Sequence, residues 1–173
     1  MHKIGENVVY GANGVMTVVD IREEKVGDNN RSYYVLAPYG SHAPSYTFVP
    51  LDNEALVAQM LPLLTKDEIY EILHSYGGSE SIEWINENRA RAEYFKTIVE
   101  SGDRARIMAM IDAIMRSGKR RNDEGKKNYL SDENIMRKAE KILHLEFSLV
   151  LGIPEEEIGA FIEREIAKKP KLI

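Results

Sequence analysis

The stretch VVYGANGVMTVVDI, residues 8–21, decides the fold of the first part of this chain. Two runs rich in Val, Tyr, Thr and Ile, residue types that favour β-strands, flank a turn-forming cluster at 11–14. Gly14 follows Asn13 and offers the positive-φ corner that a tight connection between strands requires. The stretch therefore predicts two strands joined by a short turn.

The same pattern continues as far as Pro50. Runs SYYVLAP at 32–38 and YTFVP at 46–50 are also strand-like, and the clusters GDNN (27–30) and GSHAP (40–44) separate them. Short strands at this spacing predict a small antiparallel sheet or barrel. A sheet that does not close has open edges, and such an edge can accept a strand from another protein.

After Pro50 the hydrophobic pattern changes to the helical period. Helix start signals stand at a capping box of Thr65 and Glu68, at Ser79 or Ser81, and at Asp103, Ser131 and Pro154. We therefore predict an α+β chain with a β module at 1–55 and an all-helical module of about five helices at 56–173.

Composition narrows the functional classes. The chain has no cysteine, which removes thiol nucleophiles and thiolate metal sites and is typical of a reducing compartment. It has no apolar run of about 18 residues, and its opening MHKIGENVVY lacks the apolar core of a signal peptide. We expect a cytoplasmic protein with no membrane partner.

The sequence shows no enzymatic motif. Its four histidines are scattered, its carboxylates lie mainly at helix starts, and no phosphate loop, dinucleotide fingerprint or nucleophile elbow is present. We therefore expect no catalytic residue, metal, cofactor or small-molecule substrate. An enzyme with an unrecognised site would need convergent titratable groups in a deep pocket.

Charge is unevenly distributed. The net charge of −5 argues against nucleic-acid binding, but residues 104–127 hold eight Lys or Arg against three Asp or Glu, a local charge of +5. This basic stretch is either a solvated helix face or a surface that attracts phosphate.

Trp84 is the single tryptophan, and its pattern leaves two interpretations open. In the helix predicted to start at Ser79 or Ser81 it falls in the first turn, at the edge of an apolar stripe, so burial is sterically easy. Its neighbours are polar, and two arginines follow it closely. An aromatic side chain beside arginines is also the composition of minor-groove binders that pry at a base step.

The order of these features resembles the CarD-type transcription regulators, whose first module is shared with the RNA-polymerase-interaction domain of transcription-repair coupling factor. The resemblance rests on KIGENVVYGANGVMTVVDI, YYVL and FVPLDN in the β module, and on the span from Trp84 to SGD, Leu130-Ser131 and KAEKILHLEFSLVLG in the helical module. It covers about residues 3–152. In this chain INEN follows the tryptophan, where family members often carry a basic cluster.

The resemblance implies a Tudor-like barrel that binds the β subunit of bacterial RNA polymerase by strand addition. The helical module would contact promoter DNA at the upstream edge of the bubble, with the tryptophan as a wedge that alters open-complex stability. Two segments could serve in strand addition, Ile21, Arg22, Glu23, Glu24 and Lys25 together with Tyr46, Thr47 and Phe48. DNA contacts would be Trp84, Arg89 and Arg91, with Lys119, Arg120 and Arg121 as further candidates.

A protein-only adaptor is the alternative. In that case the helical module docks another protein and Trp84 packs in the interface as a hot spot. Salt distinguishes the two, because phosphate contacts weaken steeply with salt and an apolar interface responds little.

Overall fold

The part of the chain up to Pro62 forms five antiparallel strands in the computed structural model, which describes residues 1–42 and 45–168. The hydrogen-bonded order β4-β3-β2-β1-β5 makes β4 and β5 the two ends of the sheet. Closure into a Tudor-like barrel stays a prediction. Residues 43 and 44 of the turn predicted at 40–44 lie outside the described residues. The strands are β1 (Asn7–Tyr10), β2 (Val15–Val26), β3 (Asn29–Pro38), β4 (Thr47–Pro50) and β5 (Met60–Pro62).

A glycine with positive φ lies in each of the two tight connections, the one between β1 and β2 and the one between β2 and β3. Gly14 has φ 71°, as the sequence predicts, and directly precedes β2. Gly27 has φ 65° and begins a two-residue turn in which Val26 pairs with Asn29. A positive φ at the first turn position is the feature of type II′ hairpins, whose twist matches that of the strands. The β2 and β3 strands are therefore longer than the sequence runs suggest.

The β2–β3 hairpin extends beyond its neighbours. On the β1 side, the last backbone contacts of β2 among the described residues are those of Val18 with Gly5 and Glu6. A bulge between Val18 and Asp20 shifts the register at this point. Beyond it, residues 20–26 pair with β3 alone, so this part of β2 presents an open edge.

The first compact unit of the structure is Met1–Leu63. Helix α1 (Glu54–Ala58) begins where the Asn53 side chain accepts a hydrogen bond from the Leu56 N–H. The side chains of α1 pack on the sheet, and β5 then pairs with β1. Leu56 and Val57 pack against the core of the β unit, which consists of Val8, Met16, Val18, Tyr34, Leu36, Val49 and Met60.

The second unit, Leu64–Ile173, contains five α-helices among its described residues, as predicted. They are α2 (Lys66–Ser75), α3 (Asn88–Ser101), α4 (Arg104–Asp123), α5 (Leu130–Leu151) and α6 (Glu155–Ala167). Their apolar stripes meet in a core that includes Ile69, Leu73, Phe95, Ile107, Met110, Leu143, Phe147 and Ile158. Within the described part of the chain, no helix has the length and apolarity needed to cross a bilayer.

The predicted helix start at Ser79 or Ser81 is wrong. Residues Ser79–Ser81 form one 3-10 turn, an irregular segment follows, and α3 begins at Asn88. Glu87 is the cap, since its carboxylate accepts hydrogen bonds from the N–H groups of Arg89 at 2.9 Å and Ala90 at 2.6 Å. These bonds lower the pKa of Glu87, the Arg89 contribution being the larger.

A buried ion pair lies inside the helical core. Arg104, at the start of α4, donates to Glu146 of α5 at 2.8 and 3.0 Å, and Glu146 is 0% exposed. Glu146 also accepts a hydrogen bond from the Leu64 N–H at 2.9 Å. This carboxylate is compensated by both groups, which buried charges require.

Replacement of Thr65 by alanine is expected to destabilise the helical unit by about 1 kcal/mol, since it removes the α2 capping box. In that box Thr65 accepts from the Glu68 N–H and Glu68 accepts from the Thr65 N–H. Urea unfolding followed by the fluorescence of Trp84, which lies in the same unit, measures the change.

The matched control is Thr97→Ala in the middle of α3, where the hydroxyl donates to the Tyr94 carbonyl and to no other group of the described residues. We expect this change to be neutral or slightly stabilising, because alanine is the better helix former. Equal effects of both substitutions would contradict a capping function for Thr65.

Candidate nucleic-acid interface

Arg91 occupies a core position of α3. It lies one helical turn before Phe95 on the buried face, and its side chain is 0% exposed. Its Nε donates to both carboxylate oxygens of Asp132 at 3.1 Å, and a second nitrogen lies 3.0 Å from that carboxylate. Asp132 is also buried, in the first turn of α5. A fork-shaped guanidinium is suited to this bidentate pairing.

The remaining donors of Arg91 hold the segment that precedes α3, residues 82–87, which we call the tryptophan loop. One terminal nitrogen donates to the carbonyls of Ile85 at 2.8 Å and Asn86 at 3.3 Å, and the other donates to the Asn88 side chain at 2.9 Å. Ile82 anchors the other end of the loop in the core, with 8% of its surface exposed. The irregular backbone around Trp84 is therefore fixed by side chains.

The arginine–aromatic stack consists of Trp84, Arg91, Tyr129 and Arg121. The Arg91 guanidinium carbon lies 4.7 Å from the ring centres of both Trp84 and Tyr129. The guanidinium of Arg121 lies 3.9 Å from the centre of the Tyr129 ring. Each such contact contributes about 0.5–2 kcal/mol, more where water is excluded.

Trp84 itself is partly buried. Its ring contacts Phe95 of the core with centroids 5.9 Å apart at 61°. The indole is neither sealed in the interior nor fully exposed on the surface. One portion of the ring is packed against Phe95 and Arg91, and the remainder is accessible.

A pocket of about 280 Å³ adjoins the stack. We call it the tryptophan pocket, and it brings together the end of α4, the start of α5 and the tryptophan loop. Most of its lining side chains are polar or charged. The lining residues are Trp84, Asn86, Arg91, Ser117, Arg120, Arg121, Glu124 and Tyr129.

The pocket has an excess of positive charge. Arg91 is neutralised by Asp132, and Glu124 is paired with Lys126 at 2.8 Å. The hydrogen bond from Lys126 is the main reason that the pKa of Glu124 is lowered. Two lining residues, Arg120 and Arg121, form no ion pair within the described part of the chain. The local field therefore favours an anion.

The structure places three of the six candidate DNA contacts, Trp84, Arg120 and Arg121, as accessible groups at this pocket. Arg89 and Lys119 are exposed, but neither lines it. Arg91 requires a correction. Its guanidinium is enclosed and fully paired, so it positions the tryptophan loop and is not available to phosphate.

Sequence reasoning missed Tyr129 and Asp132. One signal was present: Arg91 precedes Phe95 by four residues and Ile98 by seven, which places an arginine within the buried stripe of α3. A charge at such a position needs a buried carboxylate partner. No group of His, Asp or Glu suited to a metal ion is found in residues 1–42 and 45–168.

The predicted polymerase contacts lie at two open edges. Residues 21–25 are all exposed and form the unpaired side of β2 in the extended hairpin. Of the β4 group, Tyr46 and Phe48 are exposed and Thr47 is partly buried. Thr47 and Phe48 belong to the terminal strand of the sheet, and Tyr46 directly precedes it.

The hydrogen-bonding direction of β4 follows from one contact. The Leu51 N–H donates to the Ser32 carbonyl of β3 at 2.9 Å. Because donors alternate along an antiparallel strand, Val49 and Thr47 direct their N–H groups toward β3, and Phe48 directs its own outward. Pro50 has no N–H group to offer. Phe48 therefore supplies the outward donor within β4.

Residues 2–61 match the CarD-like/TRCF RID domain family. The match spans the β unit almost completely and confirms the resemblance for this first module. The matched family is an RNA-polymerase-interaction domain, which indicates a transcription-related role. No curated protein matches the chain.

Replacement of Arg91 by methionine is expected to destabilise the helical unit by about 3–5 kcal/mol, because it leaves the Asp132 carboxylate buried without its partner. Adding Asp132→Asn should recover part of the loss, since the uncompensated charge is removed. Urea unfolding monitored by Trp84 fluorescence measures both variants.

Arg89→Met is the matched control, two residues away on the exposed face of the same helix. Its effect should stay within about 0.5 kcal/mol. If Arg91→Met were as mild as this control, Arg91 would not be the anchor of the tryptophan loop.

Proposed function

Because residues 2–61 match an RNA-polymerase-interaction domain, we propose that this protein binds the β subunit of bacterial RNA polymerase and contacts promoter DNA at the upstream edge of the transcription bubble. The observation that supports the DNA contact is an accessible indole held among arginines in the second unit. The proposed effect is a change in the lifetime of the open complex.

The contact with polymerase is a strand added to the β unit. Main-chain hydrogen bonds supply affinity in this mode, so it tolerates varied side chains at the edge. The β4 edge is short, presents the Phe48 N–H, and ends at Pro50, which limits pairing to a few residues. Phe48 is 43% exposed and packs edge-on against Tyr33, with ring centroids 6.1 Å apart. An incoming strand would therefore also cover apolar surface.

In the proposed contact with DNA, the Trp84 ring inserts between bases as a wedge. Entry of an aromatic ring between bases costs a few kcal/mol of unstacking in duplex DNA, but part of that cost is already met at a bubble edge. Stacking with a base contributes about 1–3 kcal/mol. The Arg91 bonds and the Phe95 contact hold the ring before DNA arrives, so little further ordering is required on binding.

The net charge of −5 is compatible with this function. A protein tethered to polymerase meets DNA at a high effective concentration and needs little affinity for free DNA. Preference for the open form by 1.4 kcal/mol changes its occupancy about tenfold. A small free-energy contribution from the Trp84 contact is therefore enough to alter open-complex lifetime.

Replacement of Phe48 by proline is expected to weaken polymerase binding about tenfold or more, because it removes the outward donor of β4, worth about 1–1.5 kcal/mol, and places a ring at the edge. Binding is measured as a dissociation constant for the β subunit. Phe48→Ala is the control, because it keeps the N–H group. A folded Phe48→Pro protein that binds like Phe48→Ala would exclude the β4 edge.

Replacement of Trp84 by alanine is expected to shorten open-complex lifetime between about fivefold and about a hundredfold, the equivalent of one lost aromatic–base stack. Polymerase binding should not change, since the β unit is untouched. Trp84→Phe should retain part of the effect. A folded Trp84→Ala protein with wild-type lifetime would refute the wedge.

A further inference from the structure

We infer that a groove between α4 and α6 binds an amphipathic helix of another protein, one that carries Lys or Arg beside its apolar face. This helix groove lies within the second unit and shares no lining residue with the tryptophan pocket. It is therefore a second site, and the inference depends neither on the DNA contact nor on the polymerase contact.

Three helices shape the helix groove. Helices α4 and α6 each pack on α5, whereas they make few contacts with each other among the described residues. Leu143 and His144 of α5 lie at the floor, and Ile162 and Ile166 belong to the α6 wall. A fourth helix laid between the two walls would complete a four-helix arrangement.

The dimensions of the helix groove match two turns of a helix. Its volume is about 490 Å³, and its lining runs over residues 108–116 of α4 and 159–167 of α6. At 1.5 Å per residue each wall is about 12 Å long. Apolar anchors at i, i+3, i+4 and i+7 of a docked helix span about 10 Å, so all of them fit between the walls.

Helix α4 carries two apolar stripes. One faces the core and includes Ile107 and Ile114, which are at most 5% exposed. The other consists of Met108, Ile111 and Met115 and lines the helix groove, where Met115 is 54% exposed. Methionine side chains adapt to the shape of a partner and are common at surfaces that bind helices. The second stripe therefore provides the apolar contact.

The charge of the helix groove selects a cationic partner. Arg116 is paired with Asp112 at 3.2 Å, and Asp112 also accepts a hydrogen bond from the Tyr76 hydroxyl at 3.0 Å. Glu140 and Glu163 line the groove and form no ion pair within the described part of the chain. Three carboxylates against one guanidinium leave two negative charges uncompensated. This field attracts Lys or Arg and repels nucleic acid.

The test begins with two synthetic peptides of about 18 residues, long enough to form a helix on binding. Both carry Leu at i, i+3, i+4 and i+7, with Lys at the flanking positions of the basic peptide and Glu at the same positions of the acidic one. Titration calorimetry measures their binding to the full chain. We expect a dissociation constant on the order of 10 μM for the basic peptide and at least about tenfold weaker binding of the acidic one. No measurable binding of the basic peptide, or equal affinity of the two, would overturn the inference.

A charge reversal tests the acidic lining. Glu163→Lys should weaken the basic peptide about fivefold and strengthen the acidic one by a similar factor. Glu93→Lys is the matched control, because it makes the same change at an exposed position of α3 outside the helix groove. It should leave both affinities unchanged. Equal effects of the two variants would show a response to net charge alone and contradict the groove.

A second substitution tests the apolar stripe. Met115→Gln should weaken both peptides by roughly threefold to tenfold, because part of the buried apolar area is lost. The control is Leu130→Gln at the exposed first residue of α5, which does not line the helix groove. If the control weakened binding as much as Met115→Gln, the inference would fail.

Methyl signals of the methionines locate the bound peptide. With ¹³C-methyl methionine in the full chain, Met108 and Met115 should shift on titration, and Met16 and Met60 in the β core should not. A folded Trp84→Ala protein should bind the basic peptide like wild type. Unchanged signals of Met108 and Met115, or loss of binding in that variant, would place the peptide elsewhere and overturn the inference.

Sedimentation of the full chain tests a second copy as the occupant. We expect Met115→Gln to leave the oligomeric state unchanged. A dimer that dissociates on this substitution would assign the helix groove to a second copy of the chain and overturn the inference.

Discussion

The helical unit depends on one buried guanidinium. Arg91 is surrounded by five acceptor atoms, two on Asp132, two on the backbone of the tryptophan loop and one on Asn88. A buried ion pair contributes little net stability compared with an apolar substitute of the same shape. The Arg91 guanidinium instead fixes the relative positions of α3, α5 and the tryptophan loop, because it bonds to all three. The accessible indole follows from that buried charge.

Local signals explain how much of the fold could be predicted. The Thr65–Glu68 box, the Asp103 cap and the positive φ of Gly14 each act within four residues, so their patterns are visible in a short window. The start of α3 was predicted several residues too early. Glutamate is not among the preferred cap residues, so the cap that Glu87 provides left no recognisable sequence signal.

The candidate site was less predictable because its partners are distant in sequence. Arg91 and Asp132 are 41 residues apart, and no periodicity within one helix indicates which carboxylate an arginine will meet. Family resemblance indicated Trp84 as the functional aromatic residue, and charge indicated Arg120 and Arg121. The contacts of Tyr129 became evident only in the structure, where its ring centre lies 4.7 Å from the Arg91 guanidinium carbon and 3.9 Å from that of Arg121.

The extended β2–β3 hairpin has a consequence for self-association. Its open edge carries Glu23 and Glu24 side by side, both exposed. Two copies joined antiparallel about this point would set Glu23 of one chain against Glu24 of the other, and like charges directly opposite each other destabilise a strand pair. Native sheets protect open edges with charged side chains of this kind. In this register the open edge of the hairpin therefore disfavours pairing with a second copy of the chain. It remains able to pair with a strand of different charge.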